Sequence, residues 1–536
     1  MTDTRDLLKA LQSVEKRIER ADDDHIVATY VDNPVLVDAL STRDNGIVFG
    51  RRGTGKTHAL KYLAETERAK GSFVVYIDIE QDLGSTEGLY AEPSLGVSER
   101  ATRLLVDVLG IIHDRLLVDA LDGGPLGDRI VDLQRLLDQF GDVVVAEQGE
   151  VEFSRGTEST SSTEGGVNLK LGAAPSVGVS GRADESEKDT RGTRTKVTGP
   201  VRARVHLGGY GTLLRDLVAA HPAPRFLLLF DEWSGLPLDI QPYLAEMLRR
   251  VFFGIPKVTV RIAAIPHRTR WRLDREGGGY IGVDVGAELF PLLDLDEFVV
   301  FPARSRAEQT TRSTDFFKSL LTLHLNQAIR EGGDSLLSSP EEMVRLLFSQ
   351  VTALQELVRA AEGVPRDALA IVARAALRTA GKAISTSDVR AGAGQVYQQT
   401  KQPTLNANLD ARRLLDLIVE EVINNKKARA FLLAQEDTSN ALVQRLVDDR
   451  ILHVIKRGYS AKSQAGSRFD VLQIDYGCYV HLLTTSAPPQ LMLGTGVEDD
   501  TILASMYGQD DVPEDDYRAI RRAVLDLPAA LGRLER

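Results

Sequence analysis

The octapeptide GRRGTGKT, Gly50 to Thr57, constrains this chain more than any other feature, because the apolar run NGIVF precedes it and the helical run HALKYLAETERAKG follows it. A strand that ends in a glycine-rich loop and feeds straight into a helix turns backbone N–H groups inward around an anion, and the helix N-terminus adds its positive dipole end. Gly50, Arg51, Arg52, Gly53, Thr54 and Gly55 supply the cradle, Lys56 balances β- and γ-phosphate charge, Thr57 offers a hydroxyl to Mg²⁺, and His58 continues into the helix. A glycine-rich turn without such a ligand would not need Lys56. The expected ligand is a nucleoside triphosphate, read here as ATP with Mg²⁺.

The surrounding texture predicts an α/β fold. Apolar strands recur at SFVVYIDIE, at RFLLLF running into Asp231, at KVTVRIAAI running into Pro266 and His267, and at EFVVF before Pro302, with helical patterns from 98 to 140 between them. Strands alternating with helices of this length give parallel βαβ units. In FLLLFDEW the strand delivers two carboxylates to its carboxyl end: Asp231 can share the Mg²⁺ shell with Thr57, and Glu232 can polarise a water for in-line attack on the γ-phosphate. His267, past the fourth strand, would stand beside the γ-phosphate. Pro365 and Arg366 in EGVPRDAL open a helix from which an arginine can reach phosphate oxygens. Arg304 and Arg306 are candidates for fingers acting on a neighbouring subunit's nucleotide.

At 536 residues the chain needs several cores. Its net charge of -12, from 65 basic and 77 acidic residues, would repel a phosphate backbone over most of the surface, so any nucleic-acid contact must be local. Cys478 is the sole cysteine, which excludes an intrachain disulfide and a CxxC zinc site and fits a reducing cytoplasm. No stretch approaches the ~18 apolar residues of a membrane helix. Residues 143 to 206 alternate with period two in VNLKL and in TKVTGPVRARVHL, which predicts a β-hairpin arm with a charged tip near ADESEKDTRG inserted into the core. Further on, DARRLLDLIVEEVI, ARAFLLAQE and SNALVQRLVDDRIL read as three helices before two strands around a basic turn, a winged-helix pattern. If it meets DNA, Asn440, Gln444 and Arg445 would enter a major groove while Lys456, Arg457, Lys462 and Arg468 neutralise phosphate. Asp448 and Asp449 on the same helix keep a protein-docking role open.

The order ATYV, GRRGTGKT, FLLLFDEW, AAIPHR, EGVPRDAL and then a winged-helix pattern resembles the AAA+ ATPases of the origin-recognition and cell-division-control (ORC/CDC-like) initiator clade, in particular their bacterial relatives, over roughly residues 25 to 485. The resemblance implies that Tyr30 and Val31 line an adenine pocket, that Lys56 and Thr57 form Walker A, Asp231 and Glu232 Walker B, His267 sensor 1 and Arg366 the sensor-2 arginine. It implies a P-loop AAA+ parallel sheet with a helical lid, a β-hairpin insertion and a C-terminal winged helix. The segments are 1–44 with the adenine-pocket piece, 45–311 as ATPase core, 312–400 as lid, 401–485 as winged helix and 486–536 as acidic tail. The expected activity is Mg²⁺-dependent ATP hydrolysis by a self-assembling switch that acts on DNA. The alternative is a nucleotide-controlled scaffold, as in phage-defence ATPases that resemble the same clade, whose winged helix and arm bind proteins.

Overall fold

The computed structural model describes residues 4–14, 22–32, 34–84, 95–138, 142–145, 150–153, 195–198, 201–296, 306–332, 336–426, 428–460, 468–484 and 523–534. Within these, five strands build the central sheet: β1 (Gly46–Phe49), β2 (Phe73–Asp78), β3 (Phe226–Asp231), β4 (Val258–Ala264) and β5 (Phe290–Asp294). All neighbouring pairs run parallel, and the spatial order is β5-β1-β4-β3-β2. Because the chain leaves β1 for the far edge and returns through β3 and β4, the carboxyl ends of β1 and β3 flank that of β4. Ligand crevices of open parallel sheets form at such ends.

Both faces of the sheet are covered, which is why its strands read as near-continuous apolar runs. Ile47, Val75, Ile77, Leu228, Phe230, Val260 and Ile262 face the helices Val97–Leu121 and Leu207–Ala220. Val48, Val74, Leu227, Leu229 and Ala263 face the helices Pro34–Ser41 and Lys56–Ala69. One charge interrupts the pattern: Arg261 of β4 is fully buried, donates to the carbonyls of Leu40, Thr42 and Asp44, and thereby fixes the loop that leads into β1. Burial pushes its guanidinium down to about 9.

The fifth strand differs from the expectation. EFVVF runs into residues outside the described set, and the strand that pairs with β1 is Phe290–Asp294. Pro291 weakened the strand signal there, yet a proline is tolerated on a sheet edge, where one side of the strand has no partner. In the insertion, Asp142–Val145 pairs antiparallel with Val201–Arg204, and Glu150–Phe153 with Thr195–Thr198; the tip near ADESEKDTRG lies outside the described residues.

Helices Arg306–Gly332, Pro340–Leu347, Val351–Ala361, Pro365–Arg378 and Thr386–Val396 form a second core, into which Leu7 and Leu8 of helix Thr4–Ala10 and Leu11 just beyond it also pack. Ser339 accepts from the Glu342 N–H and Ser385 forms a capping box with Asp388, so two of these helix starts are fixed by their own sequences. The third core holds helix Leu409–Ile418, β6 (Ala430–Ala434), helix Ala441–Asp448, β7 (Leu452–Ser460), β8 (Arg468–Ile474), helix Tyr476–Thr484 and β9 (Val524–Leu525). Here AFLLA, expected to be helical, is a strand between β8 and β9. A short apolar run buried on both sides has no periodicity that separates helix from strand. The last described residues belong to this core as well, with Leu525, Leu527 and Ala530 buried in or against it, so the segment read as an acidic tail contributes a strand and a helix. No helix among the described residues is long and apolar enough to cross a membrane.

Phe230, the penultimate residue of β3, is fully buried. Truncation to alanine is expected to destabilise the core by about 3–5 kcal/mol, measured as a lowered first unfolding midpoint in a denaturant titration.

Candidate functional site

The loop after β1 is built from local rules and closed by distant ones. Gly50 donates its N–H to the Ala264 carbonyl at 3.2 Å, which ties the loop to the end of β4. Gly53 and Gly55 have φ of 84° and 97°, conformations open to glycine at little cost. At Gly53 a side chain would also collide, since a Cβ there would stand 3.0 Å from Val364 and 3.1 Å from Arg366. Lys56 starts the Lys56–Ala69 helix, is buried, and donates to the Gly50 and Arg51 carbonyls at 3.0 and 3.1 Å. Burial lowers its pKa, opposed by the carboxylates of Glu232, Asp231 and Asp296, with Arg366 adding to the lowering. Lys56, Asp231, Glu232 and Arg366, far apart in sequence, thus share one electrostatic site.

At the end of β3 the chain turns sharply. Asp231 is fully buried, with Oδ1 accepting the Glu232 N–H at 2.9 Å and Oδ2 accepting the Tyr76 hydroxyl at 2.7 Å. Glu232 sits at φ 53°, ψ 33°, a left-handed conformation that is strained for a non-glycine residue and recurs at functional sites. Burial and the neighbouring Asp231 raise its pKa, with Lys56 opposing. The turn is held from behind, since Ser234 Oγ accepts the Ile265 N–H at 2.7 Å and Trp233 stacks on Trp271 at 5.2 Å. Thr57 stands in the first turn of the Lys56–Ala69 helix, and its hydroxyl and the Asp231 carboxylate are both hard oxygen donors of the kind that Mg²⁺ prefers.

The remaining predicted residues are distributed less simply. Arg52 is exposed, and Thr54 donates its hydroxyl to the Arg51 carbonyl at 2.9 Å. His58 donates to the Ile26 carbonyl at 2.8 Å and meets Tyr30 edge-on; burial pushes its ring down to about 4, so it is a neutral link to helix Asp23–Thr29. Tyr30 is buried and stacked on Tyr62 at 4.0 Å, and its hydroxyl has no hydrogen-bond partner among the described residues. Val31 packs against Phe317, Leu320, Ala361 and Ala368, which places it at the lid. Arg366 is exposed, and its backbone N–H reaches the Gly53 carbonyl at 3.3 Å. His267, expected beside phosphate, instead bonds Asp448 Oδ1 at 2.9 Å, while Arg268 donates to Asp448 Oδ2 at 2.6 Å. Arg304 and the side chain of Arg306 lie outside the described residues.

Arg51 is the residue whose role the sequence concealed. Its N–H and Nε donate to Asp296 at 2.8 and 2.6 Å, its Nη2 to the Glu362 carbonyl of the lid at 3.1 Å, and its Nη1 meets His453 Nδ1 of β7 at 2.7 Å. A guanidinium only donates, so Nδ1 accepts and the ring proton sits on Nε2, 2.8 Å from Glu362 and 3.3 Å from Asp475. The network extends through Lys401, 2.5 Å from Asp475 and 2.9 Å from Asp367, and through Arg450 on Asp367 and Arg429 on Glu362. Among the described residues Arg51, Lys401, Arg429 and Arg450 face Asp296, Glu362, Asp367 and Asp475 around His453, whose pKa burial would lower but the Glu362 carboxylate and the hydrogen bonds to Asp475 and Glu362 raise. Glu362, His453 and Asp475 cluster tightly enough to hold a metal ion, but the adjoining cations already satisfy the carboxylates.

Of the residues read as DNA contacts, Asn440 caps its helix by accepting from the Leu442 N–H, Gln444 donates to the Thr438 carbonyl, and Arg445 pairs with Asp449 at 2.8 Å. Lys456, Arg457 and Arg468 are exposed on β7 and β8, and Lys462 lies outside the described residues.

Asp475 is held low: burial alone would raise its pKa, but Lys401 and His453 overcome it. It therefore stabilises the docked arrangement above about pH 4 and ceases to do so as acid protonates it. Lys401→Met, which strands two buried carboxylates, is expected to cost about 3–5 kcal/mol, read from denaturation midpoints, with Lys401→Arg retaining more of the stability.

Residues 14–72 match the family model described as ORC-CDC6-like. No curated protein matches the sequence. Solved structures similar to this chain include Cdc6p from Pyrobaculum aerophilum, at 12% identity and a TM-score of 0.29 over 85% of this chain and 94% of that one. The Walker-type ATPase PABY2304 of Pyrococcus abyssi gives 12%, 0.35, 87% and 99%. The Aeropyrum pernix ORC1 protein, solved in complex with DNA, gives 10%, 0.30, 88% and 95%. At these TM-scores the superpositions carry no argument, and the likeness rests on the matched segment, which holds β1, the glycine loop and its helix. Over that segment, this chain is similar to the ORC-CDC6-like family.

Proposed function

We propose that this protein is an ATP-binding and ATP-hydrolysing molecular switch. The observation that carries the reading is that core, lid and carboxy-terminal unit meet at the glycine loop through Arg51, Asp296, Glu362 and His453. A triphosphate entering that loop must take Lys56 from the Gly50 and Arg51 carbonyls, so occupancy of the loop is felt by the residues that hold the other two units. Lys56 and the loop N–H groups would bind the β- and γ-phosphates, and Arg366 at the start of the lid helix would meet the γ-phosphate. Thr57 and Asp231 would hold Mg²⁺, which supplies charge neutralisation on the phosphates. Glu232, with its raised pKa and constrained backbone, would orient and deprotonate the attacking water.

Assembly into oligomers and action on DNA through the carboxy-terminal unit complete the proposal. Exposure of Lys456, Arg457 and Arg468 supports a phosphate contact at the β7–β8 turn. The second reading, a winged-helix-like unit that docks on protein, draws support from helix Ala441–Asp448, whose Gln444, Arg445 and Asp448 are engaged within the chain.

Glu232→Gln is expected to retain ATP binding and lose turnover by about 10²–10⁴-fold, while Lys56→Ala loses both, as measured by equilibrium nucleotide binding and steady-state phosphate release. Wild-type turnover in Glu232→Gln would sink the assignment. For the DNA reading, replacing Lys456, Arg457, Lys462 and Arg468 together by alanine is expected to flatten the slope of log affinity against log salt by about 3–4. An unchanged slope removes the wing from the DNA contact and leaves the protein-docking reading.

A further inference from the structure

Tyr76 is one of two polar residues on β2, the other being Asp78 at the strand's end. In the parallel register it lies opposite Leu229, two positions before the Asp78–Asp231 pair. Its ring packs with the core beneath the P-loop helix and lies 5.6 Å from Lys61 Nζ. The hydroxyl is then carried forward along the sheet to Asp231 Oδ2, where it donates at 2.7 Å. The other oxygen of Asp231 accepts the Glu232 N–H at 2.9 Å. One donor on each oxygen fixes the carboxylate plane, and an ionised carboxylate offers about four lone-pair sites, so both oxygens retain capacity to accept further ligands.

We infer that Tyr76 is a positioning residue for the divalent cation at Asp231, a role that rests on the ATPase reading above. The phenol holds the buried carboxylate in one rotamer, so that the cation meets a preformed ligand and Glu232, whose N–H shares the same carboxylate, keeps its orientation. Phenylalanine would fill the same space against the same core and lose only the donor. Partners of this kind, outside the ligands themselves, typically set metal affinity within about 10–100-fold.

The test uses the full chain with Tyr76→Phe. The Mn²⁺ or Mg²⁺ concentration that half-saturates metal-dependent binding of a fluorescent ATP analogue is compared with the affinity for the same analogue in EDTA, and the thermal midpoint is recorded alongside. The expected result is a roughly 10–100-fold rise in the half-saturating metal concentration with unchanged affinity in EDTA and an unchanged midpoint. A metal requirement equal to that of the wild type overturns the role of Tyr76 and leaves the ATPase reading intact. A wild-type protein whose analogue binding ignores the metal, or an Asp231→Asn variant with wild-type metal requirement, overturns the cation site itself.

Discussion

Arg51 holds the junction of three cores. Its guanidinium is buried, and a buried cation is tolerable only when each of its donors finds an acceptor and its charge finds a counter-charge. Asp296 at the end of the central sheet supplies the counter-charge, a lid carbonyl and a histidine from β7 supply the other acceptors, and each partner in turn needs its own. The chain of obligations runs from Arg51 through His453 to Glu362 and Asp475, then to Lys401, Asp367 and Arg450. A network of this kind adds less net stability than its many short contacts suggest, because desolvation offsets most of the attraction. What it adds is geometry: few other arrangements of lid and carboxy-terminal unit would satisfy all of its members.

The same logic connects packing to chemistry. The sheet is covered on both faces, so its functional groups emerge only at the carboxyl ends of the strands, and the order β5-β1-β4-β3-β2 sets the glycine loop and the Asp231–Glu232 turn on either side of β4. The left-handed backbone of Glu232 persists because Ser234 bonds the end of β4 and Trp233 is locked against Trp271. Strain held in this way by surrounding packing is a common property of reactive turns. His267 and Arg268, at the adjacent strand end, are committed to Asp448, so the edge of the site and the carboxy-terminal unit share a second contact besides Arg51.

Local sequence signals are legible where local physics decides. Glycines with positive φ, a lysine at a helix start and an apolar strand ending in two acids are short-range statements, and the structure brings Lys56, Asp231, Glu232 and Arg366 into one field. They are silent where context decides. AFLLA carries no usable period, and its strand state follows from pairing with β8 and β9. Phe290–Asp294 hides behind Pro291, which is harmless on an edge. Asn440, Gln444 and Arg445 have side chains suited to a base edge, yet a side chain bonds whatever partner the fold sets nearest, and here those partners are internal.

By itself, then, the sequence determined the glycine loop, the alternation of strands and helices around it, and the acidic turn at Asp231, because each depends on residues within one or two elements. Only the tertiary structure decided what Arg51, His453, Lys401 and Tyr76 do. Their partners lie up to 402 positions away, and nothing in the identity of an arginine or a tyrosine specifies which buried acceptor the fold will bring to it.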